Sequence, residues 1–194
     1  MKIKLLLACI FVLGTASCKS NIFDAGETLG DTVIEIQFNL LDYLDPSQQV
    51  LAYGEDPQIP GDAGFTEITS PAKTLDIGDE IGEVKSIESV NIVLDYSVDN
   101  ESGYADIKYI VYLSEIGQDP FSVPGIFSDE VQLSSNTQGT GRLVITADDR
   151  LKQLFQQKKF QYAAKLIVET GQGSENIKGT ATINSFIADI VFTI

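Results

Sequence analysis

The feature that most constrains this chain is a two-residue alternation of apolar and polar side chains that recurs along most of its length. In DTVIEIQFNL, Ile34, Ile36, Phe38 and Leu40 alternate with Glu35, Gln37 and Asn39. In SVNIVLDYSVD, Val90, Ile92, Leu94, Tyr96 and Val98 stand against a set that includes Asn91, Asp95, Ser97 and Asp99. YADIKYIVYLSE puts Ala105, Ile107, Tyr109, Val111 and Leu113 on one face, and FQYAAKLIVETG does the same with Tyr162, Ala164, Leu166 and Val168. The closing run alternates through Phe186, Ala188, Ile190, Phe192 and Ile194. Successive side chains of an extended strand point to opposite faces, so each run can bury one face and wet the other. With the shorter runs VQLSS and GRLVITA the chain offers seven or eight such strands, which can bury their apolar faces only against one another. The expected fold is all-β: an immunoglobulin-like antiparallel β-sandwich of seven or eight strands.

The interruptions carry their own information. ADDRLKQLFQQKK breaks the alternation with helical spacing: Asp148 or Asp149 can cap it, Leu151, Leu154 and Phe155 form a stripe, and Lys158 and Lys159 suit its end. This predicts one short helix near residues 148–158, packed on a sheet. NESG, residues 100–103, joins two alternating runs and predicts a hairpin. Residues 45–82 hold four of the six prolines and only short candidate strands, near Phe65 to Thr69 and Lys73 to Ile77. A connection of that length is seldom neutral filler. The Pro-interrupted stretch QDPFSVPGIFSDE sets Phe121, Val123, Ile126 and Phe127 in a loop. Apolar loop residues either fold back onto the sandwich or present a tip to a partner, so these four are the candidate partner-binding loop.

The N-terminus is built differently. MKIKLLLACIFVLGTAS runs from two lysines through an apolar stretch to small residues, the order of an export signal, and the stretch is too short for the roughly 20 residues of a membrane span. Thr15, Ala16 and Ser17 followed by Cys18 resemble a bacterial lipobox, with Thr15 where that family prefers leucine. The resemblance implies cleavage before Cys18, which then carries the acyl chains, palmitate among them, that hold the protein to the membrane. Several chains on one cysteine anchor stably where one chain does not. The expected organisation is a signal peptide over 1–17, a lipidated tether over 18–31 and one sandwich domain over 32–194. Cys9 lies inside the signal, so no disulfide partner remains for Cys18. Acidic residues just after a lipidated cysteine are an export cue in Bacteroidota-type lipoproteins. Lys19, Ser20 and Asn21 do not supply one, which points to the periplasmic face of the outer membrane.

Charge and composition exclude much else. Removing residues 1–17 leaves 11 basic and 28 acidic side chains, a net charge of −17. Nucleic acid, whose binding requires a cationic surface, is excluded as a partner. The chain has no histidine, which removes the usual general base and the commonest zinc ligand. No Gly-rich phosphate loop is present, and the acids around 95–106 do not follow the EF-hand ligand order. The sequence therefore assigns no catalytic residue, no cofactor and no metal, and the chain is expected not to be an enzyme.

The order SIESVNIVLDYSVDNESGYADIKYIVYLSE, then strand, helix and GTATINSFIADIVFTI, resembles small sandwich lipoproteins of Bacteroidota. The expected function is a lipid-anchored cell-envelope binding or assembly module. It would be held to the membrane through Cys18 and joined to an envelope protein partner, as an accessory subunit of an outer-membrane complex. The alternatives are a carrier of an apolar ligand between its sheets, and a glycan-binding surface lipoprotein with aromatic rings exposed on one face.

Overall fold

A computed structural model describes residues 32–54, 65–170 and 177–194. Eleven strands appear in chain order: β1 (Val33–Asn39), β2 (Val50–Tyr53), β3 (Phe65–Thr69), β4 (Lys73–Asp76), β5 (Ser86–Ser102), β6 (Ala105–Ser114), β7 (Ile126–Phe127), β8 (Val131–Leu133), β9 (Thr137–Thr146), β10 (Lys159–Thr170) and β11 (Lys178–Thr193). The helices are α1 (Pro46–Gln49), α2 (Gly78–Ile81) and α3 (Asp149–Gln157). Residues 31–194 cluster as one compact unit.

The strands form two antiparallel sheets. Sheet I runs β1-β11-β5-β9, with β2 continuing the β1 edge along β11; sheet II runs β3-β10-β6-β7, with β4 continuing the β3 edge and β8 the β7 edge. Each sheet is thus four rows wide, and the expected sandwich of eight strand rows is what the chain builds. Its path, though, is not the immunoglobulin one, in which consecutive strands A and B share a sheet. Apart from the breaks within edge rows, the chain changes sheets at every connection except β6 to β7. This strand order is that of a jelly roll.

NESG accordingly makes no hairpin. β5 pairs with β11 and β9 in sheet I, while β6 pairs with β10, β7 and β8 in sheet II. The reason lies in the inward faces of both runs. Val90 to Val98 and Ala105 to Leu113 are full stripes of large apolar residues that must face each other, and the Tyr96 and Tyr109 rings meet across the interior at 5.2 Å. At the turn, the fully buried Asn100 ties the crossing together. Its amide donates to Gly103 O (2.9 Å) and Ser134 O (2.8 Å), and its side-chain oxygen accepts from Tyr53 (2.9 Å).

Two cross-strand pairs of tyrosine and glycine shape the core. Tyr53 lies opposite Gly179, and Tyr96 opposite Gly141. Without a side chain on the glycine, each ring lies over its partner's backbone and sends its hydroxyl onward, Tyr53 to Asn100 and Tyr96 to Ser128 Oγ at 2.9 Å. Ser128 Oγ also accepts from the backbone N–H of Tyr109, so one serine joins both sheets. Around these, Phe155, Phe160, Tyr162 and Phe186 are fully buried and fill the space between the sheets. The helix α3 closes one end, touching β5 of sheet I and β6 and β10 of sheet II. Asp148 caps it by accepting from Leu151 N (2.9 Å), and Leu151, Leu154 and Phe155 are its buried stripe, as the sequence predicts. Lys158 leaves it in the left-handed conformation, and Lys159 begins β10 in an ion pair with Asp76.

Candidate functional site

The expected partner loop lies on the outer face of sheet II. The strap from Glu115 to Phe127 crosses outward-pointing residues of β6 and β10, and Ile110, Tyr112 and Ala163 are buried beneath it with Val123 and Ile167 packed alongside. Gly125 is what brings the strap so close: a Cβ there would fall 2.6 Å from Ile110 Cγ2 and 2.9 Å from Tyr112 Cε1. Phe121 stacks edge-on against Tyr112 at 5.1 Å with the Lys165 ammonium 5.7 Å from its ring, and remains 37% exposed. Ile126 is half-buried and packs against the main core, while the side chain of Phe127 is outside the described set. Of the four loop residues, then, Val123 and Ile126 are largely spent on packing and Phe121 offers one ring edge to solvent. Cys18 is likewise outside the described residues.

A different surface carries more unengaged chemistry. On the outer face of sheet I, cross-strand register sets Thr180, Asp99 and Gln138 in one row and Thr182, Ser97 and Thr140 in the next. These six line a groove of about 430 Å³ with Val98 and Gly139 at its floor. One step toward the middle of the sheet, Arg142 grips Asp95 with both guanidinium donors, Nε to Oδ1 at 2.6 Å and a terminal nitrogen to Oδ2 at 3.1 Å. That guanidinium, helped by Ser185 Oγ against the cost of partial burial, holds the Asp95 carboxyl below the usual range. Asp99 has no ion-pair partner among the described residues. Burial, with Asp99 and Glu101 nearby, pushes the Tyr53 hydroxyl up, so it stays a neutral donor to Asn100 behind the groove.

The groove opens onto an edge strand. Three of the four sheet edges among the described residues are split into short strands, β1 with β2, β3 with β4 and β7 with β8. β9 alone is a continuous edge, ten residues long. Its backbone pairs only with β5, and its other side forms no hydrogen bond among the described residues. Natural edges are commonly blunted by proline, lysine or a covering loop. TQGTGRLVIT contains neither proline nor lysine, its one cation is turned back onto Asp95, and Val144 is 63% exposed.

Sequence reasoning passed over these residues because Ser97 and Asp99 read as the wet face of their strand, while Gln138, Thr140, Thr180 and Thr182 lie outside the stretches whose alternation is marked. The available signal was in β9 itself, a strand with glycine at two successive inward positions and no guard residue. The carboxylate nearest the groove with a shifted acidity, Asp95, is engaged by Arg142. Among the described residues no three His, Cys, Asp or Glu side chains converge as metal ligands, and no helix is long and apolar enough to cross a membrane.

No family model and no curated protein matches this chain. Among solved structures, 84% of the chain aligns with a structure of infectious bursal disease virus, Gt strain, at 10% identity and a TM-score of 0.45, covering 33% of that chain. A structure of the Gx strain of the same virus aligns over 84% of this chain at 13% identity and a TM-score of 0.40, covering 32% of its own. The chain therefore spans about a third of the length of these viral chains, and likenesses this distant bear on no functional reading.

Proposed function

We propose that this chain is a lipid-anchored binding module of the cell envelope, an accessory subunit that docks a protein partner along the β9 edge and the polar groove beside it. The observation that carries the reading is the long edge of β9, which no other described segment pairs with and which offers its outward backbone groups as a template for another strand. β1 begins at Val33, opposite Thr193 and Ser86, at the end of the sandwich that α3 closes. The groove row at Thr180 lies at the other end of β11, about 40 Å away at the rise of an extended strand.

The packing of the interior weighs against a carrier, because Tyr96, Tyr109, Tyr162, Phe160 and Phe186 occupy the space between the sheets that an apolar ligand would need. A glycan platform calls for rings on one face. The exposed large aromatics among the described residues, Tyr104 and Phe121, belong to separate connections and neither lines the groove. The test is co-purification of the natively lipidated chain in mild detergent, with a Cys18→Ser control and mass spectrometry of what accompanies it. A stoichiometric envelope protein lost in the control is expected. Recovery of the chain alone, or with only lipid or glycan, would overturn the reading.

A further inference from the structure

We infer that the occupant of the β9 edge is an extended, cationic polypeptide segment, added antiparallel to β9 as a fifth row of sheet I, with a lysine or arginine lying across Gln138 to reach Asp99. The inference deepens the docking reading above and rests on it.

Three observations lead there. The outward backbone groups of β9 form a ten-residue template for a strand, and main-chain pairing is how an exposed edge binds an extended segment. Directly opposed residues on neighbouring strands face the same side, so a residue facing Gln138 would extend the row Thr180, Asp99, Gln138 on the outer face. That position lies two strand spacings, about 9.5 Å, from Asp99, within reach of a long basic side chain and an aspartate together. Arg142 already reaches from β9 to Asp95 in the same way over one spacing. The groove gives the side chain a channel of hydroxyl and amide groups, and Asp99, which has no ion-pair partner among the described residues, supplies its counter-charge.

Charge chooses between occupants. A second copy of the processed chain would bring a net charge of −17 against an equal charge, 11 basic against 28 acidic side chains, which disfavours edge-to-edge self-pairing. A segment with lysine or arginine among its outward residues is attracted by the same field, and alternate small apolar residues suit the inward side beside Leu143 and Ile145.

The probe is a synthetic peptide of about ten residues, the length of β9, in which Val alternates with Thr and Lys. It is titrated into the full lipidated chain in detergent, with binding read by fluorescence anisotropy and the site by hydrogen–deuterium exchange. Protection confined to residues 137–146 is expected. N-methylation of the peptide at one alternate set of residues should weaken binding at least tenfold, and at the other set less than about twofold, because only one set donates to β9. Replacing its lysines by glutamate should weaken binding at least tenfold, and Asp99→Asn should weaken the lysine peptide about three- to fivefold, the scale of a solvent-exposed ion pair. No protection at 137–146, or equal effects of the two N-methyl sets, would overturn strand addition. Equal binding of the glutamate peptide would overturn the cationic assignment. A partner that still co-purifies with the anchored chain while the peptide leaves β9 unprotected would keep the docking function and reject this inference alone.

Discussion

Replacing Gly141 by alanine tests the tyrosine–glycine pairing that couples the two sheets. A Cβ at 141 would overlap Tyr96 at Cζ, Oη and Cε1, and Tyr96 has nowhere to go. Its ring is fully buried against Tyr109, and its hydroxyl meets Ser128 Oγ at 2.9 Å and Asp129 O at 3.3 Å. Overpacking costs about 1–3 kcal/mol. Swinging the ring aside leaves a buried hydroxyl unpaired, a further cost of about 1–3 kcal/mol. The alanine returns roughly 0.4–1 kcal/mol by restricting the unfolded chain, since position 141 lies outside the left-handed region that favours glycine. The net expectation is a loss of about 2–4 kcal/mol. With a urea slope of about 2 kcal/mol per molar, the midpoint should fall by roughly 1–2 M. The decisive comparison is the same substitution in a Tyr96→Leu background, where the overlap is gone and Gly141→Ala should be neutral or slightly stabilising. A single-mutant cost below about 0.5 kcal/mol, or an equal cost in both backgrounds, would refute the argument.

Other outcomes follow from the same geometry. Asn100→Leu should destabilise by about 1–3 kcal/mol in urea melts, because it leaves the buried Tyr53 Oη without its acceptor and removes one of the donors to Gly103 O and to Ser134 O; a loss under about 0.5 kcal/mol would deny the crossing its tie. Asp148→Ala should cost about 1 kcal/mol through loss of the α3 cap, read as a lower melting midpoint with unchanged slope. Because Arg142 lowers the folded-state pKa of Asp95, their pairing stabilises the protein above the unfolded aspartate range and is lost as pH falls through the folded value. Stability measured from neutral pH into acid should therefore fall less steeply in Asp95→Asn than in the parent, by at most about 1 kcal/mol because the pair is solvent-exposed. Phe121→Ala should accelerate amide exchange over the 115–127 strap and leave the core strands protected, since its ring contacts lie on the outer face of sheet II.

Strand existence and facing were legible in the sequence because both are local. The buried sets Val90–Ile92–Leu94–Tyr96–Val98 and Phe186–Ala188–Ile190–Phe192 are those the alternation marks, and α3 sits where its cap and stripe place it. The four-residue strand β2 escaped notice because VLAY is too short to show a period and follows a proline-led turn. The NESG misreading has a related cause: a short polar link with glycine can reverse the chain within a sheet or carry it across to the other one, and only the opposite strand decides which. Of the candidate loop, the apolar character of Phe121, Val123 and Ile126 was visible, but its resting place on Ile110 and Tyr112 depended on Gly125 and on outward residues of two other strands.

By itself the sequence determined an all-β sandwich with one capped helix and an interior made from the alternating sets, because side-chain facing repeats every two residues whatever the strand pairs with. Only the tertiary structure decided that β11 lies between β1 and β5, that the path is a jelly roll, and that β9 is left, among the described residues, as the one long open edge beside the groove of Thr180, Asp99 and Gln138. Those outcomes rest on contacts between segments far apart in the chain, and pairing and register across such distances are set by how whole faces fit together.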